Sequence, residues 1–210
     1  MRKRLSAKNY QPRANDRHAW LKVVETLVSS GDHPGQLQNA FDCLVDSAGE
    51  AQDVALLGRA TELASAVVAL CEPAAGCLVL YSCSNAWAHL HVIEYQEKQA
   101  TIVNHPALLN ELYFLRAAIL HEGFTVIPAD RRAKIQCNLG NALSACGRWI
   151  EALREWRKTL VEQPTLGMAF GNLGIGLVRY GGALYDPGHI HWFFVYARRH
   201  LESATCQYRL

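Results

Sequence analysis

The sequence predicts an all-α chain, a solenoid of about nine helices stacked as hairpins. Three observations lead there. Apolar residues recur at three- and four-residue spacing. Few segments alternate with period two, and none is joined to a hairpin-turn signal. The third is internal self-similarity. Cys137-Asn138-Leu139-Gly140-Asn141-Ala142-Leu143 is echoed by Gly171-Asn172-Leu173-Gly174-Ile175-Gly176-Leu177, an offset of about 34 residues.

The elements follow in order. Trp20, Val23, Val24, Leu27 and Val28 mark a first helix, stopped by the turn chemistry of Ser30-Gly31-Asp32-His33-Pro34-Gly35. Leu37, Ala40, Phe41, Leu44 and Val45 mark a second. A third spans Val54 to Leu70 and stops at Glu72-Pro73, because proline disfavours helix in the residue before it. Leu78 to about Gln96 reads as a fourth, and Pro106 to Leu120 as a fifth that ends at Gly123. Asp130 is placed to cap a helix running to Ala145. Gly147 makes the next turn, before a helix from Trp149 to Val161 that Pro164 stops. Leu166 to Tyr180 follows, stopped by Gly181-Gly182. A final helix opens at Asp186-Pro187, with aspartate as cap and proline at the first helical position.

Each repeated residue has a mechanical reason. The glycine of Leu139-Gly140 lets the second helix of the hairpin lie close, and Ala152 does the same from the other side. Leu139, Leu143, Leu153 and Trp156 fill the space between. One such hairpin cannot bury its apolar face alone and must stack on neighbours.

These residues resemble the tetratricopeptide repeat (TPR) family, whose fold is a right-handed solenoid of helical hairpins. The first unit covers roughly Arg131 to Pro164. The second matches through Gly181 and departs at Asp186, where a small residue is wanted. A degenerate upstream copy aligns Asn85-Ala86-Trp87 with Asn141-Ala142-Leu143 and implies longer helices. The combination with Gly-Arg-Trp-Ile-Glu-Ala and Leu-Tyr-Asp-Pro-Gly-His is also similar to bacterial proteins in which such repeats precede a HEPN domain, often an RNase. Residues 1–16 are expected to be a flexible basic tail, 17–125 irregular helical hairpins, and 126–210 TPR-like repeats with a C-terminal helix.

Composition excludes several function classes. The 210 residues carry a formal net charge of +2, so no global field points to nucleic acid. Arg2, Lys3, Arg4, Lys8, Arg13 and Arg17 crowd the N-terminus, a basic run that could touch RNA, phosphate or an acidic protein. Neither a signal peptide nor a membrane span is visible, since Glu72 and Pro73 interrupt the most apolar stretch; the expected location is the cytoplasm. Seven cysteines without a Cys-x-x-Cys imply neither a disulfide framework nor zinc. His89-x-His91 and His189-x-His191 point to different sides of a helix and would not chelate one ion. No cofactor is implied.

Two chemistries remain. The HEPN resemblance directs attention to Arg followed by His at short spacing, and Arg13 with His18 and Arg116 with His121 match. Roughly two matches arise by chance for so loose a motif. The better reading is a groove. The resemblance implies that the first helices of the repeats line a concave face. Lys134, Asn138, Asn141 and Asn172 then face it, and the asparagine amides can bond an extended peptide. The expected function is a protein- or peptide-binding scaffold, the sensing or docking part of a larger bacterial effector, rather than a stand-alone enzyme. The alternative is a HEPN-type ribonuclease, as a toxin or defence component. The last helix makes a stripe of Phe193, Tyr196, Ala197, His200 and Leu201, with Trp192 and Val195 off it. It looks unfinished without a downstream domain or self-association through the Trp192 region.

Overall fold

A computed structural model of the chain describes residues 12, 16–31, 34–98, 106–183, 195–200 and 202. Among the described residues the helices run in order: α1 (Arg17–Ser30), α2 (Pro34–Glu50), α3 (Val54–Leu70), α4 (Pro73–Lys98), α5 (Pro106–Leu120), α6 (Ala129–Ala145), α7 (Trp149–Glu162) and α8 (Gly167–Ala183). A 3-10 turn, Glu122–Thr125, separates α5 from α6, and residues 195–200 are helical. Among the described residues there is no strand, and no helix is long and apolar enough to cross a membrane.

Local chemistry sets the ends. The Asp16 carboxylate accepts the Ala19 N–H at 3.0 Å and caps α1. Gly31 closes that helix at φ +67°, a left-handed conformation that glycine adopts without a Cβ clash. Asp53 caps α3 by accepting the Leu56 N–H at 3.1 Å, and its second oxygen meets Arg17 Nε at 2.9 Å. The starts of α1 and α3 are therefore tied together.

Four expectations are corrected here. Helix α4 begins at Pro73, five residues ahead of Leu78. The proline that ends α3 also occupies the first position of α4, where its missing N–H costs nothing. Asp130 is not the cap of α6. That place is held by Pro128, whose carbonyl accepts the Arg131 and Arg132 N–H groups at 3.0 and 3.1 Å. Asp130 sits inside the first turn, where a carboxylate still complements the helix dipole. Gly181-Gly182 does not stop α8, which continues to Ala183 with Gly181 buried. Glycine costs only about 1 kcal/mol within a helix, and packing outweighs that. Tyr196 does not join Ala197 and His200 in covering the repeat: it is exposed, whereas Ala197 is buried and the His200 ring stacks on Phe170 at 5.8 Å. The basic tail, the helix start at Asp186-Pro187, Trp192, Phe193 and Leu201, and the histidines of His189-x-His191 lie outside the described residues.

The helices pack as successive hairpins, α2 with α3, α4 with α5, and α6 with α7. Helix α1 covers α2 and α3 at one end, and α8 covers α7 at the other. Two hydrophobic cores result. Phe41, Leu44, Leu57, Val67 and Val79 belong to the first, and Leu108, Leu115, Ile135, Trp156 and Leu173 to the second. Helix α4 belongs to both. Val79, Cys83, Ala86, Leu90 and Ile93 enter the first core, while Cys77, Leu78 and Tyr81 meet the second. A helix buried on two sides has no single apolar face, so its 26 residues carry little amphipathic signal.

Candidate functional site

Trp156 organises the repeat. Its ring is buried, and its Nε1–H donates to the Cys137 carbonyl at 3.2 Å and to Asn141 Oδ1 at 3.0 Å. Glycines flank it on two helices. A Cβ on Gly140 of α6 would lie 2.5 Å from Trp156 Nε1, and one on Gly176 of α8 would lie 2.4 Å from Cζ3. Leu139, Leu143, Ala152 and Leu153 are buried around it, in the places the repeat pattern requires.

The polar residues of the even-numbered helices form lines at helical spacing. On α6 the line is Arg131, Lys134, Asn138 and Asn141. Asn138 donates from Nδ2 to the Tyr81 hydroxyl of α4 at 3.0 Å. Asn172 of α8 donates to Asn141 Oδ1 at 2.7 Å. Lys134 is half-buried and makes no ion pair among the described residues. Three of the four residues expected from sequence to line a groove are thus hydrogen-bonded to a neighbouring helix.

Sequence reasoning missed the α2 and α4 side of this face. Asp42 of α2 accepts hydrogen bonds from Gln38 Nε2 and from Ser82 Oγ of α4. Burial pushes the Asp42 carboxyl up to about 6, against the opposing pull of Ser82 and Arg131. Tyr81 is also raised by burial, and Asn85, Arg131 and Asp46 lie within its electrostatic reach. Aligning Asn85 with Asn141 was the available signal, because it carries the polar line of α6 onto α4. Ala86 and Ala142 are both buried.

The remaining candidates separate. Arg116 is exposed on α5, whereas His121 lies one residue past the helix. The His121 Nδ1 accepts the Gly123 N–H at 3.1 Å and starts the 3-10 turn. The partner histidine of Arg13, His18, is on α1, and Arg13 lies outside the described residues. His89 lies against Gly49 of α2, while His91 Nδ1 is 3.6 Å from Glu111 Oε2 of α5, so the two rings face different helices. Cys77, Cys83 and Cys137 are buried free thiols, with burial raising them to about 11, 12 and 11. Groups held so far above neutral pH are packing residues rather than nucleophiles.

The solved structure of MamA, a TPR-like protein, matches 96% of this chain and 97% of its own, with a TM-score of 0.57 at 13% sequence identity. The fold is a TPR-like helical repeat. A second solved MamA structure covers 94% of this chain and 96% of its own at 14% identity, with a TM-score of 0.40. No protein-family model and no curated protein matches the chain in sequence. In this TPR-like arrangement α2, α4 and α6 are the first helices of the described hairpins. Helix α2 packs along α4 and α6 along α8, and the hydrogen bond from Asn138 to Tyr81 joins the two pairs.

Proposed function

We propose that the chain is a protein-interaction scaffold that holds an extended peptide against Lys134, Asn138, Asn141 and Asn172, with Tyr81 completing the surface. One observation carries this reading. The Trp156 N–H can only donate, so it fixes the Asn141 amide with Oδ1 toward the ring. Asn172 Nδ2 donates to the same oxygen. Among the described residues, the Asn141 NH2 and the Asn172 carbonyl oxygen have no hydrogen-bond partner. A donor and an acceptor fixed side by side complement one peptide unit of an extended chain.

The test is selection of binding peptides from a displayed random library with the whole chain, followed by affinity measurement on the double variant Asn138→Ala plus Asn172→Ala. Loss of two hydrogen bonds predicts at least about tenfold weaker binding, with helicity by circular dichroism retained. Unchanged affinity in a folded double variant removes the groove reading.

A further inference from the structure

The inner face is not electrically uniform. On α2, Gln38, Asp42, Asp46 and Glu50 follow one another at four-residue spacing and share a face. Asp42 is turned toward α4 by its bond from Ser82, and Asp46 lies near His89 of the same helix. On α6, Arg131 and Lys134 precede Asn138 on one face. Arg131 acts electrostatically on both Asp42 and Tyr81, and the hydrogen bonds of Ser82 to Asp42 and of Asn138 to Tyr81 bring α2 and α6 to the same stretch of α4. Arg131 and Lys134 form no ion pair within 4 Å among the described residues, so their charges are not consumed by a close partner. The adjacent α4 residues Tyr81 and Ser82 thus join the two charged helices, Ser82 through its bond to Asp42 of α2 and Tyr81 through its bond from Asn138 of α6.

We propose that the ligand of this face is a peptide segment of mixed charge, with a basic side chain over the α2 carboxylates and an acidic one over Arg131 and Lys134. This rests on the peptide-groove reading and adds the chemistry of the occupant. The argument is charge complementarity. A uniformly acidic strand, nucleic acid included, meets repulsion at Asp42 and Asp46. A uniformly basic segment meets it at Arg131 and Lys134. Only a segment whose charge changes sign along its length satisfies both sides, and like-charge juxtaposition is the usual means of rejecting wrong partners.

The experiment measures fluorescence anisotropy of four labelled peptides with the whole chain at low and high salt. They share one backbone pattern and carry mixed, all-basic, all-acidic or no charge. The mixed peptide is expected to bind about fivefold more tightly than the uncharged one at low salt, with the advantage lost at high salt. Asp46 and Arg131 are both exposed, so reversing them leaves the cores intact. D46K is expected to shift preference toward the acidic peptide, and R131E toward the basic one. The double reversal should recover binding of the mixed peptide with its charge order inverted. If the uncharged peptide binds as well as the mixed one, or the reversals change nothing, the charge inference fails while the groove stands. If no peptide binds, or binding ignores Asn138→Ala plus Asn172→Ala, the groove reading fails and this inference with it.

Discussion

Gly140→Ala tests the packing around Trp156. A new Cβ would sit 2.5 Å from Trp156 Nε1 and 2.6 Å from Cδ1, well inside the 3.5–4.0 Å or so of an ordinary contact. The ring cannot retreat freely, because a Cβ at Gly176 on α8 would be only 2.4 Å from Cζ3 and Leu153 packs there too. Two effects compete. Alanine is the better helix former and contributes about 1 kcal/mol in favour. Overpacking costs about 1–3 kcal/mol, and an indole N–H displaced from Cys137 and Asn141 adds about 1–3 kcal/mol if left unpaired. The expected net change is a destabilisation of about 1–5 kcal/mol. Urea unfolding followed by circular dichroism should show a lower midpoint at unchanged slope. Gly176→Ala should behave alike. In a double-mutant cycle with Trp156→Leu the penalty should shrink by about 1 kcal/mol or more. A Gly140→Ala protein as stable as the parent, or more so, would mean that propensity alone acts and that Trp156 is not clamped.

Two further perturbations address the electrostatics. Asp42 has a folded-state pKa of about 6 against an ordinary 3.8. The folded state therefore binds the proton more tightly, and this group removes stability as pH rises between those values. Asp42→Asn should raise the urea midpoint above pH 6 and lose that advantage near pH 4; an equal effect at both pH values would refute the assignment. Asp53 is shifted the other way, first by the Leu56 N–H and then by Arg17. Its contribution is present above the ordinary aspartate pKa and is lost as pH falls through the depressed value. Asp53→Ala should cost about 1 kcal/mol at neutral pH as a lost helix cap, with little added by the partly exposed Arg17 pair. Retained stability at neutral pH would show that the cap contributes nothing.

Much of the fold was readable because the determining chemistry is local. Gly31, Pro73 and Gly147 punctuate helices through their own backbone preferences, and Asn138 to Leu143 announces its hairpin through spacing. Expectations failed where a local signal competed with packing. Gly181-Gly182 reads as a stop, yet α8 continues because burial of Gly181 outweighs the glycine penalty. Asp130 reads as a cap, yet the chain turns one step earlier at Pro128. Tyr196 reads as a covering residue, yet it is exposed, while Ala197 is buried and His200 stacks on Phe170.

By itself the sequence determined that the chain is helical, where its best-formed hairpin lies, and which asparagines sit at equivalent places in the repeat. Helical periodicity and turn chemistry act over a few residues, so they survive in one dimension. Only the tertiary structure decided that Tyr81 meets Asn138 across 57 positions, that Trp156 holds the Asn141 amide in one orientation, and that Asp42 of α2 is bonded by Ser82 of α4. Those pairings depend on how hairpins stack. Stacking is set by the volumes of Gly140, Gly176 and Trp156 and by an α4 apolar on two sides, quantities that become contacts only once the helices are packed.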